Sequence, residues 1–137
     1  VAYKYAFVPI VAWFTAGTLK FIVNYIRFSR QAVNLIGNGG FPSTHTTVIS
    51  STVFLIGLGE GIGSPIFGLG VAVLMITIID AMGIRRAVGK QASAINRYLL
   101  TQDNGQPALR ERQGHKPFEV LGGLMLGFIL ASLLNQI

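Results

Sequence analysis

His45 and His115 are the two histidines of a chain that has no cysteine and five carboxylates, so they head a short list of groups able to do covalent or acid-base chemistry. Each stands in a setting suited to phosphate. His45 closes the run Gly39-Gly40-Phe41-Pro42-Ser43-Thr44-His45. The glycines allow a tight backbone path, Pro42 can start a helix, and Ser43 offers a cap hydroxyl beside first-turn amides that a helix leaves unpaired. Such a helix start favours an anion, although the same run also reads as an ordinary cap with an interfacial histidine. His115 lies in Gly114-His115-Lys116-Pro117-Phe118-Glu119. Glu119, four residues on, shares a helical face with it; its carboxylate could hold one imidazole nitrogen and leave the other as nucleophile or base. Pro117 fits the first turn of that helix. The plainer alternative is an interfacial histidine beside a snorkelling lysine.

Basic residues that could meet a phosphate recur at telling positions. Lys20 and Arg27 are seven apart, two helical turns, and therefore on one face. A lysine preceded by a long apolar run either snorkels or faces a polar cavity. Asp80 ends the apolar stretch Val71 to Ile79 and precedes Gly83, Arg85 and Arg86. A buried carboxylate needs a basic partner, so a structural ion pair with Arg85, Arg86 or Lys90 is the preferred reading of Asp80. An arginine of that cluster could still reach a phosphate bidentately.

The elements that must position these groups are membrane helices. Hydrophobic residues make up 51% of the 137, charged residues 12%, and the mean hydropathy is +0.57, too apolar for an ordinary water-soluble domain. The length suits one compact helical bundle, a single integral membrane domain over residues 1–137. A bilayer needs roughly 20 mostly apolar residues per helix. About four segments qualify: about Tyr5 to Ile26, about Thr46 to Leu58, about Ser64 to Met82, and about Pro117 to Leu134. The second is short and rich in Ser, Thr and Gly, which predicts packing inside the bundle. From Arg85 to Leu100 basic or polar residues alternate with apolar ones at helical spacing, and the turn-rich run Thr101-Gln102-Asp103-Asn104-Gly105-Gln106-Pro107 follows. A helix extending beyond the membrane, then a loop, is expected. The first apolar run has the form of a mature membrane helix rather than a cleaved signal, because it carries Lys20 and Arg27 where a small-residue cleavage site would stand.

Charge placement predicts sidedness. Every Lys and Arg except Lys4 falls on one side of this arrangement, and the other side holds Lys4 and the turn Gly59-Glu60-Gly61-Ile62-Gly63. The positive-inside tendency makes the basic side, with both histidines, cytoplasmic and both termini external. A net charge of +6 with no soluble basic domain to carry it points to anionic lipid headgroups rather than nucleic acid. Gly122, Gly123 and Gly127 would let the last helix approach a neighbour closely, a second copy of the chain included.

Three blocks together carry a family resemblance: Gly39 to His45; Asp80-Ala81-Met82-Gly83-Ile84-Arg85-Arg86-Ala87-Val88-Gly89-Lys90-Gln91-Ala92; and Gly114 to Val120. With Lys20 ahead of them, the chain resembles the divergent branch of the type 2 phosphatidic acid phosphatase (PAP2) superfamily, the acid phosphatase and vanadium haloperoxidase-related membrane proteins. Lys20 and Arg27 match the spacing of the superfamily's first motif, with Phe28 in place of Pro. Pro42, Ser43 and His45 match the second, with Thr44 in place of Gly. His115 matches the third, with Glu119 where Asp is usual. Leu109 occupies the place of the third motif's arginine and Arg110 is one off, so its substitute is expected in Arg85 or Arg86.

The resemblance implies a phosphomonoester hydrolase that needs no metal or other cofactor. It would act on a membrane lipid phosphate such as phosphatidylglycerol phosphate, phosphatidate or an isoprenyl phosphate. His115 would attack phosphorus to form a phosphohistidine, Glu119 would fix its tautomer, and His45 would protonate the leaving alkoxide and later activate water. Lys20, Arg27, Ser43, Thr44 and Arg85 or Arg86 would bind the phosphate oxygens. A bacterial inner membrane is the expected location. Two other readings stay open: a non-catalytic lipid-binding scaffold with the same fold, and a small transporter built around Asp80 and Lys20.

Overall fold

A computed structural model describes residues 3–31, 40–102 and 105–137. Gly39 of the expected glycine pair and Asp103-Asn104 of the expected turn lie outside them. The described chain is all helical: α1 (Tyr3–Phe28), α2 (Thr44–Gly59), α3 (Pro65–Met82), α4 (Ile84–Gln102) and α5 (Pro117–Leu134). Three helical stretches, beginning at Tyr3, Pro65 and Pro117, are long and apolar enough to cross a membrane, and α2 is a shorter apolar helix. The bundle runs up and down. Tyr5 donates to Glu60 at 2.9 Å and Lys4 to Asn135 at 3.3 Å, so the start of α1 and the ends of α2 and α5 share one face. The histidines occupy the other.

Helix ends follow local chemistry. Ser43 caps α2, its Oγ accepting from Thr46 N–H at 3.4 Å, and Ser64 caps α3 in the same way through Phe67, with Pro65 in the first turn. Pro117 likewise opens α5. Pro42 does not start α2: it precedes the Ser43 cap, in a cis peptide bond with Phe41.

The short α2 is the central helix, touching α1, α3 and α5. Its second half buries Val53 and Leu55, and its first half Thr46, Thr47, Ser50 and Ser51. Their hydroxyls are satisfied on main-chain carbonyls or on one another: Thr47 donates to Ser43 O at 2.9 Å, Ser51 to Val48 O at 3.0 Å, and Ser50 reaches across to Gly123 O at 3.3 Å. The apolar core of Val8, Leu55 and Ala131 lies at the end of the bundle away from the histidines. At the histidine end the packing is small and polar.

That end closes through the glycines of α5. A Cβ on Gly123 would lie 2.8 Å from Ser43 O, one on Gly127 would collide with Ser50 Oγ, and one on Gly122 with the Phe41 ring. Interhelical hydrogen bonds in membranes average about 0.6 kcal/mol, whereas overpacking a close contact costs about 1–3 kcal/mol. The glycine contacts therefore dominate the seam. Gly127→Leu is expected to destabilise the protein in detergent by about 1–3 kcal/mol, and Ser50→Ala by less than ~1 kcal/mol. Gly68, on α3 with open space around its Cα, should accept alanine without loss; thermal unfolding of the three variants makes the comparison.

Candidate active site

The expected third block is built from α5 and the segment before it. Lys116 N–H donates to Glu119 Oε2 at 2.9 Å, half of a capping box, which turns the carboxylate back over the helix start. The same oxygen lies 3.1 Å from His115 Nδ1. An ionised carboxylate only accepts, so Nδ1 carries the proton and the Nε2 lone pair is left free for chemistry. His115 and Glu119 are 5% and 6% exposed, a buried pair.

What brings His115 to this place is α4. After α4 ends, the chain returns along it from residue 105 to residue 116. Asn96, buried on α4, clamps the returning strand: its amide donates to Leu109 O and to Glu111 Oε1, both at 2.8 Å, and its Oδ1 accepts from Leu109 N–H at 2.7 Å. Nearer the start of α4, Gly89 lies directly under Glu111 O. Gly114 then takes a positive φ of 78° where a Cβ would lie 2.8 Å from both Ala81 O and Arg86 N, and His115 N–H donates to Ala81 O at 2.9 Å. The segment expected as a loop is thus a strap that ties His115 to the α3–α4 junction.

The second and third blocks meet directly. Ser43 N–H donates to Glu119 O at 2.9 Å, and Phe41 stacks on Phe118 with ring centroids 6.2 Å apart. His45, on the first turn of α2, is exposed and within electrostatic reach of His115, Lys20, Asp80 and Arg85. Arg85 Nη1 lies 3.4 and 3.5 Å from the two nitrogens of His45, nearly equidistant and so not aligned on one lone pair. Arg85 also forms the ion pair with Asp80, Nε to Oδ2 at 2.6 Å. Asp80 therefore orients the guanidinium that faces His45.

Of the other expected residues, Lys20 is half-buried, and its charge acts on His115 and on Glu119. Arg27 is exposed and forms no ion pair among the described residues. Thr44 is half-buried at the mouth of a cavity of about 470 Å³ lined by Trp13, His45, Val48, Ile76, Asp80 and Arg85 among others. Arg86 covers Gly114 with its aliphatic stem, and Lys90 is exposed one turn on, without an ion pair among the described residues. Ser43 is fully buried, and its Oγ lies 2.9 Å from Thr46 Oγ1 and accepts from the Thr46 amide. It serves the helix cap.

Asn24 is a site-side residue that the sequence motifs do not single out. It is buried on α1 between Lys20 and Arg27, and Gly40 sits against it, an added Cβ falling 3.9 Å from its Oδ1. The signal was present, since residues 20, 24 and 27 share one helical face. Asn96 and Trp13 had no such signal; only the folded path of the strap and the cavity wall reveal them.

Burial holds the His115 pKa below its ordinary value of 6.5, and the Lys20 and Arg85 charges act the same way, against the opposing hydrogen bond and charge of Glu119. The imidazole is therefore neutral at pH 7 and stays so somewhat below 6.5, and any stability tied to it is full above 6.5 and falls as the pH drops through the folded value. Histidine-labelled protein titrated by NMR should show one His115 midpoint below 6.5 with Nδ1 protonated. In Glu119→Gln that midpoint should move lower still, because a raising influence is gone; an upward move would contradict the geometry.

Comparison with known proteins shows a family and a membrane-protein relative. The family model described as the divergent PAP2 family matches residues 2–130. A Bacillus subtilis (strain 168) protein, "Uncharacterized membrane protein YuiD", is 27% identical over 135 residues, covering 87% of this chain and 85% of that one. No solved structure matches the chain. With three apolar helices long enough to cross a bilayer and the family model covering nearly its full length, the chain is an integral membrane protein that belongs to the divergent PAP2 family.

Proposed function

We propose that the protein is a lipid phosphatase that hydrolyses a phosphomonoester of a membrane lipid through a phosphohistidine on His115. The observation that carries this reading is the doubly anchored Glu119 carboxylate, which accepts a hydrogen bond from the Nδ1–H of His115 and leaves Nε2 as an unprotonated nucleophile. In the first step Nε2 attacks phosphorus, the P–O bond to the lipid breaks, and His45 gives a proton to the leaving alkoxide. In the second, His45 takes a proton from water as the water oxygen attacks phosphorus, the P–N bond breaks, and inorganic phosphate leaves. Arg85 and Lys20 oppose the charge on the phosphoryl oxygens, the principal source of rate acceleration in such a transfer. Thr44, which lines the cavity beside His45, and Arg27, two turns after Lys20 on α1, would serve the same purpose.

The substrate class follows from the cavity. Its polar end is His45, Arg85 and Asp80, and its wall continues over Val48, Ile49, Ile76 and Trp13. That gradient suits an amphiphile with its phosphate at the interface and its tail in the bilayer: phosphatidylglycerol phosphate, phosphatidate or an isoprenyl phosphate. The excess of Lys and Arg at this end favours a cytoplasmic site, in a bacterial inner membrane. A transporter around Asp80 is less well supported, because Asp80 is neutralised by Arg85 at 2.6 Å.

Phosphate release by the detergent-purified protein from a panel of lipid phosphates, with EDTA present, tests the proposal. Wild type should turn over. His115→Ala and His45→Ala should each lose at least ~100-fold, the usual contribution of a nucleophile or a positioned acid-base group. Arg85→Ala should also fall steeply. Folded wild-type protein that binds the lipids but releases no phosphate, with binding retained in both histidine variants, would favour the scaffold reading instead.

A further inference from the structure

Helix α4 touches only one helix of the bundle extensively, α3, yet it has three distinct faces. Gly89, Ala92 and Asn96 are buried under the returning strap. Ile84, Val88, Ile95 and Tyr98 recur at helical spacing on a second face and are exposed, Ile84 by 64% and Tyr98 by 65%. Arg86, Lys90 and Arg97 recur on a third, also exposed, and the helix has no acidic residue at all. A helix projecting into water would leave that apolar stripe unsheltered. The stripe instead follows on from exposed Ile76 and Ile79 of α3, a helix apolar enough to span the bilayer. Gly83 separates the two helices with non-helical torsions, φ −105° and ψ −82°, a local break in the helical path.

We propose that α4 is an interfacial helix, lying along the headgroup layer of an anionic leaflet with Ile84, Val88, Ile95 and Tyr98 in the acyl boundary and Arg86, Lys90 and Arg97 directed to lipid phosphates. An apolar stripe with a purely basic face on the far side is the pattern of a helix that rests on a negatively charged membrane surface. Because Asn96 on the same helix clamps the strap that ends at His115, docking would also hold His115 at headgroup depth. Docking of this kind needs no catalysis, so it stands apart from the phosphatase reading.

The chain has no cysteine, so single cysteines can report on α4 without background. An environment-sensitive fluorophore would be placed at Ile95→Cys and Tyr98→Cys on the stripe and at Ser93→Cys and Thr101→Cys away from it. The protein would be reconstituted in phosphatidylcholine vesicles with and without phosphatidylglycerol. Stripe probes should emit further to the blue, be quenched several-fold less by iodide than the other two, and be quenched by nitroxide carried near the lipid headgroup. In the anionic vesicles, R86Q/K90Q/R97Q should raise iodide access at positions 95 and 98. Equal iodide access at all four positions would put α4 in water and overturn the proposal. Stripe protection that persists in dilute detergent together with cross-linking between chains would overturn it too, assigning the face to a second copy. No effect of the triple substitution would remove the anionic lipid from the account.

Discussion

Everything at the histidine end depends on how closely α5 can approach α2. The glycines of α5 bring its backbone onto Ser43, Thr46 and Ser50, and only at that separation can Ser43 N–H reach the carbonyl of Glu119. That bond, with the Phe41–Phe118 stack, joins the segment bearing His45 to the segment bearing His115. The driving force is not hydrophobic, since lipid is as apolar as any side chain; it is dispersion between closely packed backbones, supplemented by hydroxyl contacts. Larger apolar side chains gather at the opposite end, where Tyr5, Phe54 and Leu134 pack around Val8, Leu55 and Ala131.

A second constraint comes from outside the bundle. His115 sits ahead of α5, in non-helical chain, and its position is set by Ala81 O, by the positive φ of Gly114 and, further back, by the Asn96 clamp. The α3–α4 junction thus supplies two things at once. Its carbonyl fixes the backbone of His115, and its Arg85, held by Asp80, lies over His45. In the proposed chemistry one junction would align both the nucleophile and the acid-base group, which explains how a short chain with few polar residues could assemble such a site.

Much of this was legible in the residues. Periodic apolar runs marked the spanning helices and Pro117 marked a helix start, whereas Pro42 precedes its helix; the spacing of His115 to Glu119 pointed to their hydrogen bond, although His115 lies just ahead of α5 rather than on it. The Asp80 ion pair was legible as a need for a partner, but the choice of Arg85 over Arg86 or Lys90 depends on the helical break at Gly83. Ser43 was legible as a cap hydroxyl, but its contact with the Thr46 hydroxyl was not, because a cap and an anion ligand have the same sequence signature. The strap was illegible, since Asn96 meets Leu109 and Glu111 by tertiary packing and no local rule pairs them. The family match covers residues 2–130, a span that includes all three of the blocks that carry the resemblance.

The central claim is that His115 is the nucleophile, and covalent labelling tests it most directly. Wild-type protein quenched during turnover of a lipid phosphate carrying radioactive phosphorus should yield an acid-labile, alkali-stable label on the peptide containing His115, and none in His115→Ala. Phosphate release without label on that peptide, or a label on another residue, would contradict it.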